Sequence, residues 1–185
     1  MKKILITGSA GFIAPHIAEE ALNLGWEVIG VDIQEVENQV KDKKIKYIKS
    51  DLRDLTLGDI KDVNYVAHMA FVTNIPFSIQ NPLSTTYDNI DMTAKLLDLC
   101  TKAKIEKFVF PSTASLYGHN QIPWVESMSI EPIEPYSWQK LSCEYLFKMW
   151  YERYGLNTST VRLYQVYGEN QRADTALAKF ITSKK

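Results

Sequence analysis

Apolar residues come in short runs that alternate with longer amphipathic stretches. Lys3–Thr7 reads as a short buried strand with the unbroken apolar centre Ile4-Leu5-Ile6. Residues 11–24 follow, with apolar positions at helical spacing and Gly25 as the stop. The strand signature returns at Glu27–Asp32, at Ile45–Lys49 and over residues 63–69, 107–110 and 158–164. Helical patterns fill 83–103 and 136–154, and residues 175–181 begin another. Strands separated by helices predict parallel pairing with right-handed crossovers. The expected architecture is α/β, a doubly wound parallel sheet with helices on both faces. The stretch 111–135 holds four prolines but also Tyr117, Trp124 and Val125, which predicts an ordered functional loop rather than a hinge.

The first strand–helix junction carries candidate chemistry. Gly8-Ser9-Ala10-Gly11-Phe12-Ile13-Ala14 joins them. Gly8 permits a tight turn, Gly11 lets the backbone approach a phosphate, and Ala14 is small enough for the helix to pack on the sheet. The helix amides then face a pyrophosphate. Asp32 ends the second strand, 24 residues beyond Gly8, followed by Ile33. A carboxylate there accepts hydrogen bonds from both ribose hydroxyls and repels a 2′-phosphate, so NAD is expected over NADP. A glycine turn alone is weak evidence; this one has the strand, the helix and the acid in place.

Tyr136-Ser137-Trp138-Gln139-Lys140 begins a helix just after Pro135. Tyr136 and Lys140, four apart, share a helix face. A phenol titrates near pH 10, about three units too high for a base at neutral pH. A neighbouring ammonium, or a positive nicotinamide ring, would lower that value. Chance produces Tyr-x-x-x-Lys often, and alone it means an amphipathic helix. However, Ser112 and Thr113 directly follow the fifth strand, at the end of the sheet where ligands bind.

Together these motifs resemble the extended short-chain dehydrogenases/reductases, the NAD-dependent epimerase/dehydratase family that acts on nucleotide sugars. The residues, in order, are Thr7-Gly8-x-x-Gly11-Phe12-Ile13, Asp51-Leu52-Arg53, His68-Met69-Ala70, Asn89, Ser112 to Gly118, Tyr136-x-x-x-Lys140 and Arg162-Leu163-Tyr164. They span nearly the whole chain. The resemblance implies a Rossmann domain with Asp51 and Leu52 near the adenine. Met69, Ala70 and Phe71 would line the cofactor, Asn89 would support the site, and Leu163 would sit beside it. Thr113 falls at the catalytic Ser/Thr position, Tyr136 at the base and Lys140 at its partner, which also holds the nicotinamide ribose. The matching helices, 83–103 and 136–154, form a dimer interface in the family, which implies a homodimer.

Three departures refine this expectation. Family dehydratases carry Asp-Glu directly after the catalytic Thr, whereas Ala114 and Ser115 follow Thr113. Dehydration is therefore disfavoured, and the implied reaction is hydride transfer at a sugar carbon, C4, as in UDP-glucose 4-epimerase. Gln165 stands where Asn is usual, and Phe71 where Ala or Gly is common. Family members also continue past the sixth strand into a smaller lid domain. The expected division is an NAD-binding domain over 1–168 and the start of an incomplete substrate-binding region over 169–185. Two other readings stay open: a non-catalytic NAD-binding module, and a simple dehydrogenase or reductase of a smaller substrate.

Composition constrains partners. The 185 residues are 45% hydrophobic and 23% charged, with a net charge of −1. Lys and Arg are scattered, so no nucleic-acid or membrane partner is expected. Lys2 and Lys3 before Ile4-Leu5-Ile6 imitate an export signal, but Thr7-Gly8-Ser9 breaks the apolar run. Cys100 and Cys143 lack metal-ligand spacing, which implies a reduced, cytoplasmic protein. Neither they nor His16, His68 and His119 suggest a metal site, and His68, ending a strand, reads as a structural histidine.

Overall fold

The computed structural model describes residues 1–35, 40–171, 173 and 175–183. Its strands are β1 (Lys3–Thr7), β2 (Glu27–Asp32), β3 (Ile45–Lys49), β4 (Tyr65–His68), β5 (Lys107–Thr113) and β6 (Thr158–Leu163). Its α-helices are α1 (Ala14–Asn23), α2 (Ile75–Gln80), α3 (Pro82–Thr86), α4 (Met92–Lys102), α5 (Pro135–Tyr154) and α6 (Ala176–Thr182). The strands form one parallel sheet in the order β3-β2-β1-β4-β5-β6. The chain winds outward from β1 to β3, then returns to the other side of β1 with β4. That reversal opens a crevice beyond the carboxyl ends of β1 and β4.

Alternate strand residues feed two cores. Ile4, Ile6, Val28 and Ala67 pack with Ala14, Ala18 and Ala21 of α1. Leu5, Ile29, Val31, Val66, Phe108 and Phe110 pack on the opposite face with Leu96, Leu97 and Cys100 of α4 and with Cys143 and Phe147 of α5. Burial on both faces is why these strands read as unbroken apolar runs. The alanine stripe of α1 brings that helix close to the sheet, as expected of Ala14, which is buried.

Several boundaries differ from the sequence expectation. Helix α1 starts at Ala14 rather than residue 11, because Gly8 to Ile13 are taken up by the turn. Strand β5 runs three residues past Phe110, through Pro111. Its pairing with β4 ends at Val109, while pairing with β6 continues to Thr113. Pro111 therefore sits where one side of β5 has no ladder to interrupt. The expected helix 83–103 is divided into α3, a π-helical turn at Tyr87–Asp91, and α4. Helix α2 was not expected, although Asn74 caps it by accepting from the Phe77 amide and Pro76 lies in its first turn.

Helix α5 begins with a capping box. The Glu134 carboxylate accepts the Ser137 amide at 3.0 Å, and the Ser137 hydroxyl reaches back to the Glu134 amide at 3.4 Å. Loop 118–134 is held as an ordered unit: the Glu131 amide donates to Leu116 O at 2.7 Å, and the Trp124 indole donates to Asn120 O at 2.8 Å.

Candidate active site

The crevice is a cleft of about 560 Å³. Gly8 and Gly11 come from the β1–α1 turn, Asp32 and Ile33 from the end of β2, and Asp51 and Leu52 from the turn after β3. Met69, Ala70 and Phe71 follow β4, and Asn89 comes from the π-turn; all of these line the cleft. Ten residues singled out in the sequence thus meet at one surface. Phe12, Ile13 and Leu163 lie outside that lining; Phe12 instead packs edge-on against His16 at 5.9 Å.

Gly8 has φ +65°, where L side chains are strained. A Cβ on it would lie 2.6 Å from Ala70 N and 2.8 Å from Met69 C. Its missing side chain thus lets the turn nest against the loop after β4, beyond the turn geometry expected from sequence. The Gly11 amide closes the turn on Gly8 O at 2.9 Å. Asp32 is fixed from two sides, accepting the Ala10 amide on Oδ2 and the Gln34 amide on Oδ1, each at 2.9 Å. Each oxygen keeps a lone pair for a further donor. A glycine cradle beside a pinned acid suits a dinucleotide.

Ser50, Gln34, Arg53, Asp88, Val72 and Met92 also line the cleft. Only Arg53 had a sequence signal, inside the Asp51-Leu52-Arg53 motif. Its guanidinium holds Asp51 through two bonds of 2.9 and 2.6 Å and reaches Asp88 at 3.3 Å. That pairing keeps the Asp51 carboxyl below its usual range. With two carboxylates on it, Arg53 is not a free cation for a 2′-phosphate.

Phe71 connects the cleft to the residues singled out for catalysis. Its ring meets Tyr136 edge-on at 6.0 Å and lies 3.7 Å from Lys140 Nζ. Lys140 is 2% exposed and donates to Pro111 O at 2.7 Å, with the Phe110 ring 4.2 Å away. Removal from water pushes its amine down to about 7. Tyr136 lies 5.9 Å, ring centroid to Nζ, from Lys140. Burial raises its phenol and the Glu134 charge adds to that rise, while a hydrogen bond with Thr113 opposes it. The net direction is opposite to the lowering expected from an adjacent ammonium. Burial outweighs the neighbouring amine at Tyr136, and the same burial disfavours the charged form of Lys140.

The Thr113 hydroxyl donates to Ser115 Oγ at 3.1 Å and accepts the Ser115 amide at 3.1 Å. The Ser112 hydroxyl is buried without a hydrogen-bond partner among the described residues. Thr113 stands at Tyr136, to which it is hydrogen-bonded, and Ser112, the preceding residue of β5, faces the other side of the strand.

His68 is fully buried below the cleft. Thr93 gives its hydroxyl hydrogen to Asn89 O at 2.6 Å, so its oxygen accepts from His68 Nε2 at 3.0 Å. Nδ1 is then the acceptor for the Thr7 hydroxyl at 2.8 Å, whose oxygen accepts the Ala70 amide at 3.1 Å. This accounting fixes a neutral imidazole protonated on Nε2. Burial and the charge of Lys140 push it down to about 3. It is a structural histidine, with both nitrogens satisfied.

Known proteins share this fold. Residues 4–184 match the model of the NAD-dependent epimerase/dehydratase family. "Uncharacterized UDP-glucose epimerase YtcB" of Bacillus subtilis (strain 168) is 32% identical, over 97% of this chain and 61% of that protein. The UDP-N-acetylglucosamine 4-epimerase of Methanobrevibacter ruminantium M1, solved with UDP-N-acetylmuramic acid, superposes with a TM-score of 0.90 at 32% identity, over 99% of this chain and 62% of that one. The UDP-glucuronic acid 4-epimerase of Bacillus cereus, solved with UDP-glucuronic acid and NAD, gives 0.88 at 29% identity, over 98% and 62%. The chain thus spans about three fifths of the length of the proteins it matches. By its fold, its glycine cradle and this match, the chain belongs to the NAD-dependent epimerase/dehydratase family.

Proposed function

We propose that this chain is the NAD-binding and catalytic part of a UDP-sugar 4-epimerase. The reading rests above all on Tyr136 and Lys140 meeting at Phe71, with Thr113 hydrogen-bonded to Tyr136, beside a cleft shaped for a dinucleotide. Gly8, Gly11, Asp32, Asp51, Leu52, Met69 and Ala70 would hold NAD, with Asp32 taking the ribose hydroxyls. When bound, NAD supplies reversible hydride acceptance at the sugar carbon. Thr113 orients the sugar C4 hydroxyl by hydrogen bonding. Tyr136 removes that hydroxyl proton as phenolate and returns it at the end of the cycle. Lys140 holds the nicotinamide ribose and, protonated, favours the phenolate. The proton balance closes within Tyr136 and the substrate, and no net oxidation occurs.

Ala114 and Ser115 favour epimerisation over dehydration, since neither carries the acid and base that elimination of water requires. Residues 1–168 form the cofactor domain in this reading, and 169–185 begin the substrate-binding region; residues 172, 174, 184 and 185 lie outside the described residues. The protein acts as a homodimer through 83–103 and 136–154. That face supports the idea, because Leu83, Tyr87, Trp138 and Tyr145 expose more than half of their surface. Cys100 and Cys143 are free, buried thiols, in keeping with a reducing cytoplasm. No described helix is long and apolar enough to cross a membrane.

The test is interconversion of UDP-glucose and UDP-galactose, with Tyr136→Phe alongside. The wild type should turn over, and Tyr136→Phe should lose at least about a hundredfold in kcat while keeping its NAD affinity. Equal turnover by the two would remove Tyr136 from its role. Net NADH formation would favour a simple dehydrogenase instead.

A further inference from the structure

Helix α5 buries an amide that the reaction does not use. Gln139, between Trp138 and Lys140, is 2% exposed. Burying a primary amide is unfavourable unless its groups are bonded, and here all of them are. Its Oε1 accepts from Asn89 Nδ2 at 2.7 Å, and its Nε2 donates to the Thr85 and Thr86 hydroxyls, each at 3.0 Å. Asn89, fully buried, accepts the Val72 amide on Oδ1 at 2.7 Å and gives its second Nδ2 hydrogen to Val72 O at 3.3 Å. Thr85 passes its own hydrogen to Asn81 O at 3.0 Å, so toward Gln139 it can only accept.

The polarity of this chain is forced from end to end. The Val72 amide demands an oxygen from Asn89, which turns the Asn89 nitrogen toward Gln139. Gln139 must answer with its oxygen, and its nitrogen must then find two acceptors. Turning either amide over would set N–H against N–H at Val72 or between the two side chains. The π-turn carries Asn89 into this position, and such turns often mark functional sites.

The two ends of the chain matter. Val72 and Phe71 form one wall of the cleft, and Gln139 lies on the helix that carries Tyr136 and Lys140. We propose that Gln139 is a positioning residue: through Asn89 it locks the Phe71–Val72 wall to the catalytic helix, so that a dinucleotide in the cleft meets Tyr136 and Lys140 in one arrangement. This rests on the NAD-binding reading above. The geometry depends on the oxygen at 139, which Asn89 requires, more than on the amide as such.

Calorimetric titration of the full chain with NAD tests it, using Gln139→Leu, Gln139→Glu and melting temperatures measured on the same samples. Gln139→Leu removes the acceptor and should weaken NAD at least tenfold. Gln139→Glu keeps an oxygen for Asn89; Thr86 can turn its hydroxyl to donate to the second oxygen, and Thr85 can do so by releasing Asn81 O, so the variant should stay within about threefold of wild type. Adding Asn89→Ala to Gln139→Leu should cost little more than either change alone, because one chain of bonds is broken only once. If Gln139→Leu does not fold, Gln139→Ser, too short to reach Asn89, takes its place. Wild-type affinity in the variant lacking the acceptor overturns the proposal, as do losses that follow melting temperature alone. Absence of NAD binding by the wild type overturns the NAD reading, and the proposal with it; wild-type binding with insensitive variants overturns the proposal alone.

Discussion

Acid should destabilise this fold through His68 in a measurable way. The imidazole lies between Thr7 and Thr93, stacked on Phe110 at 5.7 Å and edge-on to Phe108 at 5.8 Å. A proton on Nδ1 would displace the Thr7 hydroxyl hydrogen and leave a cation with no water. Free in the unfolded chain, the ring titrates at 6.5; folded, it is held down to about 3. The folded value is depressed and the group is cationic when protonated. Between these values the unfolded chain therefore takes up a proton that the folded chain refuses. The stability contribution is complete above pH 6.5 and is lost as pH falls from 6.5 toward 3. At pH 5 the unfolded state has gained about 1.5 pH units of this preference, or about 2 kcal/mol at roughly 1.4 kcal/mol per unit. Any folded value below about 4 gives nearly the same figure, since only the unfolded side titrates in this window.

Carboxylates titrate too, so the measurement is a difference. Urea unfolding at pH 7 and pH 5, followed by tryptophan fluorescence, should show wild type losing about 2 kcal/mol more than His68→Gln. Parallel losses in the two proteins would show that His68 does not carry the acid sensitivity. So would an imidazole resonance of folded His68 titrating near 6.5.

Two other substitutions probe the site. Lys140→Met should stabilise the protein at pH 7 by on the order of 2 kcal/mol in urea while abolishing turnover, because a buried amine held at about 7 opposes folding wherever the unfolded amine is charged. That penalty is full below pH 7 and fades as pH rises from 7 toward 10.5, so the advantage of the variant should shrink over the same window; a destabilised Lys140→Met would contradict it. Gly8→Ala should weaken NAD binding more than tenfold and lower Tm by several degrees, from about 1–3 kcal/mol of backbone strain and the clash with Ala70. Unchanged calorimetric affinity would show that the turn is not a cradle.

Much of the fold was legible because both sheet faces are buried. Runs such as Lys3–Thr7 and Glu27–Asp32 then need no alternation to be recognised, and β1 and β2 fall where the apolar runs do. Pro111 suggested an early end to β5, since the loss of β4 as a partner after Val109 is a property of the sheet. The π-turn was hidden for a related reason: one additional residue per turn barely disturbs apolar spacing across 83–103, yet it moves Asn89 inward. The cradle, the acid and the trio could be named from local motifs. Gln139 could not, because its partners Asn89, Thr85 and Thr86 lie some fifty residues away and only packing joins them. The direction of the Tyr136 shift was missed on similar grounds. A motif gives the neighbour, while burial decides whether that neighbour is charged.

In this reading the crevice lined by Gly8, Asp32 and Phe71 is a site for NAD. Calorimetric titration of the wild-type chain with NAD and with NADP at the same ionic strength addresses it directly. NAD should bind one per chain and NADP at least about a hundredfold more weakly, because Asp32 would face the 2′-phosphate while Arg53 is already held by Asp51 and Asp88. Equal affinities, tighter binding of NADP, or no binding of either would contradict the account.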